Sequence, residues 1–177
     1  MYVIYNGELL HYGVPGMKWG KRKAYAKMLT RAGKRQGRAD YYRDRGNQAY
    51  KKHDDNAKVL DKAAASYEAQ GKYFRAEAAR KSAAALRARG ANIKATNEAT
   101  ANKYQLKADH YNQKASKFAS KKKLSVGKDV VDGIFGNARQ KSYGKEQKSA
   151  ERARENDLRD KLGDDNYRRL NKLRGRG

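Results

Sequence analysis

Large hydrocarbon side chains are scarce in this chain, and that scarcity limits what it can fold into more than any motif does. Leu, Ile, Val and Phe together supply 23 of 177 residues, against 43 Lys and Arg and 19 Asp and Glu. Such a balance ordinarily leaves a chain without enough apolar burial to offset its ordering entropy. Here 27 alanines, 13 tyrosines and a single proline stand in for the missing mass, and alanine is the strongest helix former. The expectation is a mainly α protein with a thin core, stable largely in the company of further copies or a partner.

Composition also narrows the chemistry. With no cysteine there is no disulfide framework, thiol catalysis or Cys-type zinc site, and nothing is said about redox compartment. No stretch approaches the roughly 20 apolar residues that span a bilayer, and Met1 to Leu10 has no basic segment followed by a long apolar one, so no stable membrane insertion is expected. The phosphate-loop, dinucleotide-loop, metalloprotease and nucleophile-elbow patterns are all missing, and His11, His53 and His110 lie far apart. No enzyme, cofactor or metal is therefore expected. His53 beside Asp54 and Asp55 reads as a polar helix face, and Asp129 with Asp132 as carboxylates favouring a helix start.

The chain divides into five segments. Residues 1–22 open with Tyr2-Val3-Ile4-Tyr5, the turn dipeptide Asn6-Gly7 and a returning strand Glu8-Leu9-Leu10-His11-Tyr12, a small β-hairpin mini-fold with Val14, Met17 and Trp19 available to cover it. Residues 23–46 are basic and punctuated by Gly33, Gly37 and Gly46, which suggests a linker with short helices. Over 47–123, small or apolar residues recur in threes and fours through Leu60, Ala63 or Ala64, Tyr67, Gly71, Phe74, Ala78, Ser82 and Ala85, then through Ile93, Asn97, Thr100, Tyr104, Ala108, Tyr111, Ala115 and Phe118. With a turn near Gly90 this is a long antiparallel, coiled-coil-like helical hairpin, its arms roughly 50 to 65 Å long. A short amphipathic apolar stretch follows at 124–137, then a charged helical tail at 138–177.

Charge is uneven along these segments. The net charge of +24 resolves into 0 over residues 1–20, +10 over 21–52, +9 over 53–123 and +5 over 124–177. In the densest block twelve basic and two acidic residues interleave with Tyr25, Tyr41, Tyr42 and Tyr50. That arrangement suits phosphate neutralisation with aromatic stacking on bases or sugars, and it equally suits a solubilising surface. Under the first reading Lys21, Arg22, Lys23, Lys27, Arg31, Lys34, Arg35 and Arg38 bind nucleic acid, independently of base sequence because no base-reading motif accompanies them. Alternating charges such as Glu68, Lys72, Arg75 and Glu77 are what any exposed helix face carries.

The run His11-Tyr12-Gly13-Val14-Pro15-Gly16-Met17-Lys18-Trp19-Gly20-Lys21-Arg22 surrounds the one tryptophan with glycines. Either Trp19 and His11 hold a mini-fold together, or the segment is a docking tag presenting His11, Gly13, Gly16, Met17, Lys18, Trp19, Gly20 and Arg22 to a protein partner. The run resembles the H-x-G-[V/I]-x-G-[M/Q]-K-W-G-x-R element that recurs in otherwise dissimilar proteins of tailed bacteriophages. Leu29-Thr30-Arg31-Ala32-Gly33-Lys34-Arg35 is similar to the basic stretch that follows the element there. Pro15 and Lys21 depart from its usual residues, and the resemblance ends near residue 35.

That resemblance implies a virion structural, minor capsid or head-morphogenesis component, located in the phage particle and in the host cytoplasm during assembly. The expected function is thus a non-enzymatic virion protein that docks to a capsid, portal or other virion protein. Its basic helical body would contact packaged DNA or neighbouring copies in a homo-oligomer. The alternatives are a sequence-independent nucleic-acid-condensing protein and a helical scaffolding or assembly factor.

Overall fold

A computed structural model describes residues 3–5, 8–10, 19–122 and 126–173. Two three-residue strands, β1 (Val3–Tyr5) and β2 (Glu8–Leu10), pair antiparallel with Val3 opposite Leu10 and Tyr5 opposite Glu8. The Asn6-Gly7 turn and the segment 11–18 lie outside the described residues, and so does the packing expected of the mini-fold. Everything else described is built on helices: α1 (Trp19–Ala69), α2 (Tyr73–Lys121), α3 (Lys128–Leu162) and α4 (Asp164–Leu173).

The 51 residues of α1 and 49 of α2 make an antiparallel hairpin roughly 75 Å long at ~1.5 Å per residue. Its turn is at Gln70-Gly71-Lys72, not near Gly90. Gly71 takes φ +69°, the Lys72 N–H donates to the Tyr67 carbonyl and the Gly71 N–H to the Glu68 carbonyl, both at 2.8 Å. This is a Schellman cap, in which a left-handed residue just past the helix end satisfies its last carbonyls and turns the chain away. Gly90 instead lies buried in the middle of α2, where a Cβ would come within 2.9 Å of the His53 Cβ.

The seam between the two arms is made of the smallest residues. On α1 it runs through Ala32, Ala39 and Gly46, then Ala57 and Ala64; on α2 through Ala76, Ala83 and Gly90, then Ala101, Ala108 and Ala115. Within each group the step is seven residues, the coiled-coil repeat. Between the groups both helices step by eleven, from 46 to 57 and from 90 to 101, and these longer steps overlap along the antiparallel pair where Gly46 faces Lys94 and Asn97 and Gly90 faces Tyr50 and His53. An inserted four residues locally unwinds a supercoil, and matching insertions keep the two seams facing. No large side chain is fully buried among the described residues. Phe74, Ala78, Ser82 and Ala85, expected on this seam, are exposed, Phe74 by 92%. The turn at Gly71 resets the helical phase, so positions beyond it do not continue the pattern of α1.

The glycines expected to break 23–46 into short helices are packing sites within continuous α1. Helix α3 lies parallel to α1: a Cβ on Gly33 would stand 2.4 Å from the Phe135 carbonyl oxygen, and one on Gly37 2.1 Å from that of Arg139. This four-residue glycine spacing lets the two backbones approach closely, as small residues do in other helix pairs. The Ser142 hydroxyl donates to the Lys34 carbonyl at 2.8 Å across the contact. The apolar stretch 124–137 and the charged tail are likewise not separate units, because 128–162 is one helix that begins at Gly127 and ends at Gly163, φ +73°. Among the described residues α2 and α3 flank α1 without packing on each other.

Candidate nucleic-acid interface

The arrangement leaves one face of α1 open between α2 and α3, and its sequence makes that face cationic. Arg31, Lys34, Arg35 and Arg38 fall at i, i+3, i+4 and i+7, a single stripe of a helix. Lys141 and Lys145 of α3, at i and i+4, stand along one side, and Tyr111 of α2 along the other. With Ser142 these residues line a shallow groove of about 550 Å³.

The acids of the basic block are turned away from it. Asp40 is held by Arg139 of α3 and accepts from Gln36 at 3.1 Å, and Asp44 accepts from the Tyr143 hydroxyl at 2.8 Å. That bond, reinforced by burial, holds the Tyr143 phenol above its ordinary pKa. Arg38 pairs with Glu146 at 2.8 Å. Among the described residues Arg31, Lys34, Arg35, Lys141 and Lys145 have no carboxylate partner.

Aromatic rings hold several of these cations in place. Arg31 lies over Tyr111 at 5.8 Å from the ring centroid, and Arg35 and Arg38 over Tyr104 at 5.9 and 5.6 Å. Ring quadrupoles attract guanidinium, so like charges are kept side by side at fixed points. Tyr104 itself stacks on Tyr42, with centroids 5.8 Å apart and planes 7° from parallel. Burial, with the neighbouring Tyr104, raises the Tyr42 phenol above its ordinary pKa. Of the tyrosines expected to stack on bases, Tyr41 is buried with its ring edge-on to Tyr42 and Tyr143, and Tyr50, which is exposed, lies beneath Lys94. Tyr25 joins Leu29 and Val131 around a different groove.

Of the eight cations expected to bind nucleic acid, four form the stripe. Lys21, Arg22, Lys23 and Lys27 precede it in the first turns of α1, Lys23 and Lys27 exposed and Lys21 and Arg22 half-buried. Lys141 and Lys145 were missed, since nothing local marks residues about a hundred positions away as neighbours of Arg31 to Arg38. Of the docking motif, His11, Gly13, Gly16, Met17 and Lys18 lie outside the described residues. Trp19 and exposed Gly20 begin α1, and a Cβ on Gly20 would meet nothing within 4 Å.

His53 Nδ1 is buried without a hydrogen-bond partner among the described residues, against the Gly90 backbone. Among the described residues no cluster of three His, Cys, Asp or Glu could hold a metal, and no helix is long and apolar enough to cross a membrane.

The fold and site together define a long helical protein, built on alanine and glycine seams, with one concentrated cationic face. A model described as a family of unknown function (DUF7211) matches residues 3–26, which covers the strand pair, the glycine and tryptophan run and the first turns of α1. No curated protein and no solved structure matches the chain.

Proposed function

We propose that this protein is a non-enzymatic structural component of a bacteriophage virion, docked through residues 11–22 to a capsid, portal or other virion protein, with its cationic helical face laid on packaged nucleic acid. The observation that carries the nucleic-acid part is the open face of α1, where five cations without a carboxylate partner among the described residues converge while Asp40 and Asp44 are engaged by α3. Phosphate neutralisation there needs no base contact, so binding is independent of sequence and falls steeply with salt. The virion part rests on the resemblance of the N-terminal run to the phage element.

Self-association belongs to the same proposal. The outward face of α2 exposes Ala84, Ala88, Ala91, Ala95 and Ala99 in steps of three and four, the chemistry that packs α1 on α2 inside the chain.

Two measurements test the reading. Binding of a random duplex to the purified protein is followed from low to high salt, and light scattering gives its size. Incorporation into particles is compared for the native chain and Trp19→Ala. The expected results are salt-sensitive binding, defined oligomers, and a Trp19→Ala chain that still binds DNA yet is left out of particles. A monomer indifferent to DNA would sink the proposal, and so would full incorporation of Trp19→Ala for its docking part.

A further inference from the structure

We infer that the groove between α1 and α3 is a seat for double-stranded nucleic acid gripped by its phosphates, and that it discriminates against single strands. The inference rests on the nucleic-acid reading above and goes further by assigning the ligand's form and two residues, Lys141 and Lys145, that belong to no linear basic motif.

The first argument is the state of the aromatic rings. Proteins that hold single strands without sequence preference combine a basic track with aromatic faces on which unpaired bases stack. Here the rings near the track are already covered. Tyr104 has Tyr42 stacked on it and Arg35, Arg38 and Lys107 within 6.0 Å of its centroid, Tyr111 carries Arg31, and Tyr41 is buried. An unpaired base arriving at this face meets half-buried rings that already hold a guanidinium or another ring. A duplex keeps its bases stacked internally and presents phosphates alone.

The second argument is the layout of charge. The stripe from Arg31 to Arg38 rises roughly 10 Å along α1, and Lys141 with Lys145 forms a second row on α3. Gly33 and Gly37 let α3 in until backbone meets backbone, so the rows run side by side at the short end of the usual 8–10 Å helix spacing. Two parallel cation rows suit two phosphate strands. Both rows stand on long helices, and the guanidinium groups of Arg31, Arg35 and Arg38 in the α1 row lie over rings, so these three side chains lose little freedom on binding a ligand that is itself stiff.

The test is fluorescence anisotropy across a salt series, with a random duplex and an oligothymidine of equal length as probes. It compares the native chain, the double variant Lys141→Ala/Lys145→Ala, and Arg89→Ala, which removes an exposed cation on the far part of α2. Circular dichroism checks that all three are equally helical. Five cations predict a log–log salt slope for the duplex near −4.5, at about −0.9 per phosphate contact. The expected result is a preference for duplex of roughly tenfold or more at matched salt, and a slope shallower by about 2 in the double variant, with Arg89→Ala close to native. Equal or tighter binding of the single strand overturns the inference and leaves the broader reading standing. Duplex binding that the double variant does not weaken overturns the placement in this groove, and binding of neither probe overturns both.

Discussion

Adding one methyl group at Gly37 sets two effects against each other, and the structure decides between them. On a bare helix Gly→Ala is favourable by about 1 kcal/mol, because glycine loses more backbone freedom on folding. Against α3, however, the new Cβ would stand 2.1 Å from the Arg139 carbonyl oxygen and 3.0 Å from its carbonyl carbon. These are backbone atoms, so no rotamer change relieves them and α3 itself must withdraw by roughly 1 Å. A gap of that size forfeits about a quarter to a half of the dispersion attraction along the contact. It also stretches the 2.8 Å bond from Ser142 to the Lys34 carbonyl beyond hydrogen-bonding range, for a further ~1 kcal/mol. Overpacking of this kind typically costs 1–3 kcal/mol; with the lower part of that range, about 1–2 kcal/mol, the lost bond and the propensity gain offset each other and docking of α3 weakens by about 1–2 kcal/mol. Hydrogen exchange of the full chain reads this directly. Amides of α3 between 131 and 146 lose roughly five- to thirty-fold in protection, while those around Ala76 to Gly90 of α2 keep theirs. Unchanged or greater protection in α3 would refute the reasoning, because it would mean that only helix propensity had been altered.

Three further outcomes follow from the same geometry. Ala83→Leu, at a fully buried seam position, lowers stability by about 1–3 kcal/mol, while the exposed neighbour Ala84→Leu changes it by no more than ~0.5 kcal/mol; equal shifts in thermal midpoint would contradict the seven-residue seam. Gly71→Ala, at φ +69°, destabilises the hairpin by roughly 1–2 kcal/mol in urea titrations, and Gly71→Asn by less, since asparagine tolerates the left-handed region. The hydrogen bond to Asp44, helped by burial, raises the Tyr143 phenol, so its contribution is complete below the ordinary phenol range near pH 10 and is lost as pH rises through the raised value. Tyr143→Phe therefore shows a smaller loss of stability between pH 9 and 12 than the native chain, and identical alkaline profiles would contradict the assignment.

The mainly α character and the long antiparallel hairpin could be read from alanine content and from the lack of proline after Pro15. The position of the turn could not, because glycine serves two opposite purposes in this chain. Gly71 ends a helix through a left-handed backbone, whereas Gly33, Gly37, Gly46 and Gly90 sit inside helices where a neighbouring chain passes close. The seven-residue step does not separate them, because Gly71 follows Ala57 and Ala64 at that step just as Gly46 follows Ala32 and Ala39 and Gly90 follows Ala76 and Ala83. The cationic stripe was legible on α1 because helical spacing alone assembles it. Its α3 half was not, since Lys141 and Lys145 are brought there only by tertiary packing.

The parallel course of α3 along α1 also orders events in time. Its contacts join residues about a hundred apart, Asp40 to Arg139 and Asp44 to Tyr143, and in an unfolded chain such long loops close slowly. The hairpin has no such handicap: it can zip outward from Gly71, beginning with pairs as near in sequence as Glu68 and Arg80. Once zipped, it delivers the end of α2 beside the start of α1, and only the few residues between Lys121 and Lys128 still separate α3 from its seat. A search over a hundred residues thus becomes one over a short tether. The two-row cationic groove is accordingly completed after the hairpin on which it is assembled.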